Sequence, residues 1–173
     1  FETEYNSFWD SRANEPEFVA FYVEPVQATG GYIIPPPEYF SRLRTILNER
    51  KILLVDDEIQ MGFFRTGKFW AIEHFRAKPD IVVFGKAMTN GLNPISGLWA
   101  KEFLISPAKF PPGSTHSTFS SNPLGTSAAL ATLNWIEQQE YETTVAESGA
   151  YFLRQLQALK ARHSTIGDVS GLG

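Results

Sequence analysis

The sequence predicts an α/β fold, a mostly parallel sheet with helices on both faces. Three runs carry that prediction. Residues 18–23, 51–55 and 81–84 are apolar with little alternation, as strands buried on both sides are. Segments with apolar residues three or four apart separate them, the pattern of covering helices. Each run then ends in polar residues: Glu24, the segment Asp56 to Gln60, and Lys86. In open α/β sheets a ligand sits beyond the carboxyl ends of the strands.

Residues 1–17 are polar with scattered aromatics and are read as irregular. The run at 18–23 is rich in Phe, Tyr and Val, which suit a strand. Gly30-Gly31 and Pro35-Pro36-Pro37 mark a loop. A helix over 37–50 follows, with proline in its first turn and Tyr39, Phe40, Leu43, Ile46 and Leu47 on one stripe. A strand at 51–56, a loop at 62–67 and a short helix at 69–75 come next, and Pro79-Asp80 ends that helix. The strand at 81–84 completes a second β-α-β unit. Residues 97–100 add a strand that reverses direction. Pro111-Pro112-Gly113 opens a polar loop through Asn122, and helices are predicted over 123–139 and 141–162. Tyr141, Val145, Phe152, Leu153, Leu156 and Leu159 form the apolar stripe of the last helix, facing a core or a partner.

A chain of 173 residues, 43% hydrophobic and 14% aromatic, can bury a core as one domain. A net charge of -4 argues against a nucleic-acid surface. No apolar run reaches membrane-spanning length. There is no cysteine, so no disulfide frame or thiolate metal site, a composition compatible with a cytoplasmic location. His74, His116 and His163 are too far apart for a local metal motif, and no metal is expected.

Lys86 follows Gly85 just past an apolar strand, where burial would favour the neutral amine that Schiff-base chemistry needs. It also reads as an ordinary loop lysine. Asp57, at a strand end, wants a positive partner, and a protonated pyridine nitrogen is one. It reads equally as a helix cap or surface acid. Asp56 must point to the opposite face of the strand and cannot serve the same site. Gln60 suits a ring oxygen and Ile59 a ring face, or both are loop packing. Glu24 orients a substrate or makes a structural ion pair. The loop of His116, Ser117, Thr118, Ser120 and Ser121 suits a phosphate, or is a polar surface loop ahead of a helix.

In order along the chain these segments resemble the class III, or omega, aminotransferases of pyridoxal phosphate (PLP) fold type I. Glu24-Pro-Val-Gln27 with Gly30-Gly31 is similar to the family's Glu-Pro-x-Gln-Gly-x-Gly-Gly. Leu53 to Gln60 is similar to Leu-Leu-x-x-Asp-Glu-Val-Gln. The segment Gly62 to Gly67, Trp70-Ala71, His74, Pro79-Asp80-Ile81, Gly85-Lys86 and His116 to Leu124 continue the series. Ala28, Phe64 and Ser120-Ser121 depart from it where the family commonly has glycine, and Ser170 stands where arginine is common.

The resemblance implies pyridoxal 5'-phosphate as cofactor. It implies that Lys86 forms the Schiff base and shuttles a proton, that Asp57 binds the pyridinium nitrogen, and that Gln60 and Ile59 touch the ring. Thr118 would reach the phosphate of the neighbouring subunit in a homodimer with shared sites, and Glu24 would lie near the substrate. Residues 1–163 would be part of the large cofactor-binding domain, with 164–173 starting the connection to a small C-terminal domain. That domain and an N-terminal segment are expected to lie outside this sequence. The implied reaction moves an amino group between an amine or amino acid and a 2-oxo acid or aldehyde, in two ping-pong halves. An aminomutase, racemase or decarboxylase of the same fold is the first alternative; glutamate-semialdehyde aminomutases usually carry Met at the position of Gln60. A non-catalytic assembly module that has kept the fold is the second.

Overall fold

A computed structural model describes residues 18–115 and 117–173 of the chain. The irregular segment read at 1–17, and His116, lie outside the described residues. The architecture is a mostly parallel four-stranded sheet with helices. Its strands are β1 (Ala20–Val23), β2 (Leu53–Asp57), β3 (Ile81–Phe84) and β4 (Gly97–Ala100), in that spatial order. β1, β2 and β3 are parallel, and β4 runs antiparallel to β3, the reversal the sequence suggested.

Helix α1 (Tyr39–Glu49) forms where the apolar stripe predicted it, two residues inside the predicted start. Phe40, Leu43 and Leu47, spaced three and four apart, are fully buried. They pack with Ile52, Leu54, Ile72 and Phe75 as the main core, each full burial contributing roughly 1.5–3 kcal/mol. Leu54 shares this face of the sheet with its register partner Phe21, and Asp56 with Val23 and Val82. The other face carries Tyr22, Val55, Ile81, Asp57 and Val83.

The predicted helix at 69–75 is a short 3-10 helix, Ala71–Phe75. A second 3-10 turn, Lys86–Thr89, and a single-turn α2, Glu102–Ile105, were not foreseen. Both are too short for apolar periodicity to register. Helix α3 (Pro123–Glu137) starts as read, with Pro123 in its first turn and Asn122 accepting from the Gly125 N–H at 2.7 Å. Helix α4 spans Tyr141–Arg162. Its inward stripe differs from the predicted one: Tyr141, Val145, Gly149, Leu153 and Leu156 are half-buried, while Phe152 and Leu159 are exposed. Gly149 lies on the inward stripe, where a Cβ would stand 2.5 Å from the backbone of Gly173, so only glycine admits that close approach.

Asp80 ties four elements together. Its carboxylate, nearly fully buried, accepts from Arg44 Nη1 on α1 at 2.5 Å, from Lys101 Nζ after β4 at 2.5 Å, and from the Leu54 N–H of β2 at 2.9 Å. Its own backbone N–H donates to Leu54 O at 2.9 Å, and its carbonyl accepts from the Lys101 N–H at 3.1 Å. Burial opposes the charge, but the bonds from Lys101, Leu54 and Arg44 outweigh it and hold the carboxyl below the usual carboxylate range.

Asp80→Ala is therefore expected to lower the unfolding free energy by about 2–3 kcal/mol, below the range for a fully buried pair because Lys101 is part-exposed. The lowered folded pKa means this stability is present above the unfolded value of about 3.9 and is lost as pH falls through the folded one. Urea unfolding between pH 7 and pH 3 checks it: the acid loss should be shallower in Asp80→Ala.

Candidate active site

Asp57 is the last residue of β2, half-buried, with Val83 as its register partner on β3. The ladder continues one bond further, Glu58 N–H to Val83 O at 2.9 Å, so the chain leaves the strand in a fixed direction. Both Asp57 oxygens are tethered. The Ile59 N–H donates to Oδ1 at 3.0 Å, and the Tyr22 hydroxyl, from β1, donates to Oδ2 at 2.8 Å. A carboxylate has room for about four donors, so each oxygen keeps a free position.

Lys86 lies two residues past the end of β3 and three past Val83, the neighbour of Asp57. With Ile59, Gly85, Thr89, Gly91, Pro94, Ile95 and Ser96 it lines a cavity of about 470 Å³. Its backbone is at φ 42°, a left-handed value rare for a residue with a side chain. Such strain costs on the order of 1–3 kcal/mol and clusters at functional sites. The burial expected of Lys86 is not found: it is exposed, because the chain turns outward at Gly85 and the 3-10 turn begins there.

The structure thus brings Ile59 and Lys86 to one cavity and ties Asp57 to Ile59. Gln60 is half-buried next in the same turn. Glu24 is not among the residues around Lys86. It lines a separate cavity of about 270 Å³ with Gln27, Ile33 and Tyr39, and its Oε2 accepts from the Ala28 N–H at 3.2 Å. Thr118 is exposed on the loop before α3 and lines neither cavity. Among the described residues no group of three His, Cys, Asp or Glu side chains is placed to hold a metal ion.

Departures from the family pattern have physical consequences. Phe64 at φ 63° and Ser121 at φ 53° occupy left-handed conformations at positions where the family commonly has glycine. Ala28 instead buries its methyl group against Val26, Met61 and Ala71. Gly62 keeps the family residue for close approach: a Cβ there would meet Glu58 O and the Trp70 ring at 2.9 Å.

Asp56, on the core face, is fully buried beside Glu58. Glu58 Oε1 accepts from the Ile72 N–H at 2.9 Å. Asp56 Oδ1 and Oδ2 and Glu58 Oε2 have no other partner, and a proton on Asp56 donated to Glu58 satisfies one oxygen of each. Burial, then the charge of Glu58, pushes the Asp56 carboxyl up to about 9. Burial also raises Glu58, opposed by its bonds from Ile72 and Ala71, so Glu58 is the partner that ionises first. The pair holds the turn after β2 against the 71–75 helix, behind the Asp57 face. Sequence reasoning excluded Asp56 from the site but gave no sign of this pairing. The i, i+2 spacing of two acids at a buried strand end was the available signal.

Lys86 and Ile59 line one cavity, and Asp57, tethered to the Ile59 N–H, ends the strand next to the one that leads to Lys86. The Aminotransferase class-III family model matches residues 4–173. A leucine/methionine racemase of Thermococcus litoralis is 39% identical over 154 residues, covering 89% of this chain and 34% of the relative. An ornithine aminotransferase of Saccharomyces cerevisiae is 38% identical over 157 residues, covering 89% of this chain and 37% of the relative. The crystal structure of a transaminase from the marine bacterium Virgibacillus superposes with a TM-score of 0.92 at 32% identity, over 99% of this chain and 40% of that one. The chain belongs to the class-III aminotransferases, a pyridoxal-phosphate-dependent family. It spans little more than a third of the length of these curated relatives.

Because the folded pair binds protons that the unfolded chain releases, stability should be fully present below the unfolded carboxyl values of about 4 and fall as pH rises toward about 9. Asp56→Asn keeps a donor to Glu58 without a titrating proton. Denaturant unfolding across that range should show a shallower slope for the variant.

Proposed function

We propose that this chain carries the catalytic lysine and the ring-binding acid of a pyridoxal 5'-phosphate-dependent aminotransferase. The observation that supports this best is the placement of Asp57 and Lys86 at the carboxyl ends of adjacent parallel strands, in a chain of this family. The donor set fits the cofactor: a carboxylate for a pyridinium nitrogen, an amide for a ring oxygen and an amine for an aldehyde. When bound, pyridoxal phosphate supplies that aldehyde and a ring that accepts electron density.

The residues divide the work as follows. Asp57, held by two donors, would aim its carboxylate at the ring nitrogen and favour that nitrogen's protonated form. Gln60 would donate to the ring oxygen, and Ile59 would pack against the ring face and exclude water. The Lys86 amine holds the cofactor between turnovers and carries the proton at the substrate carbon. Its exposure leaves it free to reach a ligand in the cavity it lines. Glu24, in its separate cavity, is assigned to the substrate side. Thr118, exposed on its loop, is assigned to the phosphate of the partner subunit's site, which makes the active protein a homodimer. Residues 1–163 belong to the large cofactor domain, with 164–173 leading out of it. The substrates are an amino donor and a keto acid or aldehyde acceptor, and the location is cytoplasmic.

The racemase relative favours a second reading, in which the same Lys86 and Asp57 move a proton at the substrate carbon without exchanging the amino group.

In the full-length protein, borohydride reduction should fix the cofactor to the native sequence and not to Lys86→Ala. Covalent retention by the variant would contradict the assignment. Asp57→Asn should lower kcat by at least about a hundredfold. Chiral product analysis with and without a keto acid separates the two readings. Aminotransfer requires the acceptor; turnover of an amino acid to its mirror image without one supports the racemase.

A further inference from the structure

We propose that Tyr22 is a positioning residue for Asp57, whose phenol hydroxyl fixes the carboxylate in the orientation that would meet the cofactor's ring nitrogen. The proposal rests on the cofactor reading above and adds a residue to it.

The geometry starts in the register. Tyr22 on β1 has Val55 as its partner on β2, and Asp57 lies two residues further along the same face. Such a diagonal neighbour is within reach of an aromatic side chain. The hydroxyl closes that distance, donating to Asp57 Oδ2 at 2.8 Å. The Ile59 N–H holds the other oxygen at 3.0 Å. The carboxylate is thus gripped at both ends, by a neighbouring strand and by its own turn, and cannot rotate freely about its terminal bond.

Tyr22 donates and does not accept here. Burial first, then the bond and charge of Asp57, with smaller contributions from Glu24 and Asp56, push the phenol up to about 12. It therefore keeps its proton across the working range. The bond therefore holds Asp57 Oδ2 in place while leaving room on the carboxylate for a ring N–H.

The fold has little other use for this hydroxyl. Tyr22 is 57% exposed, on the face away from the main core, while its strand neighbours Phe21 and Val23 pack inward. Tyr22→Phe removes the oxygen and keeps the ring, so a loss in the variant reports on the bond to Asp57.

The experiment compares the native full-length protein and Tyr22→Phe in three measurements. These are the Kd for pyridoxal phosphate, the pH midpoint of the visible band of the lysine-bound cofactor, and thermal unfolding of the cofactor-free protein. The variant should bind the cofactor about tenfold more weakly, as loss of one bond to a charged group implies. Its midpoint should move to higher pH, because a carboxylate free to turn pairs less well with a ring N–H and leaves the ring less able to lower the basicity of the attached lysine nitrogen. Its cofactor-free unfolding should be unchanged. An unchanged Kd and midpoint, with the native protein binding normally, would overturn the role of Tyr22 alone. Weakened binding with a matching fall in cofactor-free stability would make the role structural and also overturn it. A native protein that takes up no cofactor would overturn the parent reading and this one together.

Discussion

The Asp80 carboxylate sets the frame on which the site is built. It sits at the amino ends of β2 and β3, the end of the sheet opposite to Asp57 and Lys86. Its bonds to Arg44, Lys101 and the Leu54 N–H lock a helix, two strands and the segment leaving β4 in one arrangement. Sheet register has a period of two, so a slip of one residue would move every side chain of a strand to the other face. With the amino end fixed, the carboxyl end follows: Asp57 falls beside Val83, and Lys86 comes three residues later. A site split between two strands needs such an anchor, and a buried carboxylate with three donors has little freedom to provide any other register.

The end of β2 also shows how neighbouring acids take different roles. Asp56 and Asp57 are consecutive and point to opposite faces. On the core side, Asp56 is sealed with Glu58, and the two share a proton because neither can reach water. On the other side, Asp57 is half-buried and tethered by two donors. The strand therefore carries a sealed acid behind and a tethered, accessible one in front. The proton-sharing pair stiffens the turn that holds Ile59 and Gln60 through the Glu58 bond to the 71–75 helix.

Much of this was legible in the sequence. The unbroken apolar runs gave the strands, and residues at three-and-four spacing gave α1, whose buried positions Phe40, Leu43 and Leu47 were all on the predicted stripe. The strand-end position of Asp57 and the opposite orientation of Asp56 followed from the two-residue period. What escaped depended on contacts between distant segments. Asp80 read only as the end of a short helix, since its partners lie on three other elements. Tyr22 read as one more apolar strand residue, since its bond to Asp57 exists only in the observed register. The α4 stripe includes Gly149, whose close approach to Gly173 no apolar periodicity announces. Lys86 read as buried, and a turn beginning at Gly85 left it exposed.

The central claim is that Asp57 and Lys86 address one ligand from adjacent strand ends. A crystal structure of the full-length protein grown with pyridoxal phosphate tests it most directly. The account predicts continuous density from Lys86 Nζ to the cofactor's aldehyde carbon, with the ring nitrogen at hydrogen-bond distance, about 2.7–2.9 Å, from an Asp57 oxygen. A cofactor bound elsewhere, or one attached to Lys86 with its ring nitrogen turned away from Asp57, would contradict it.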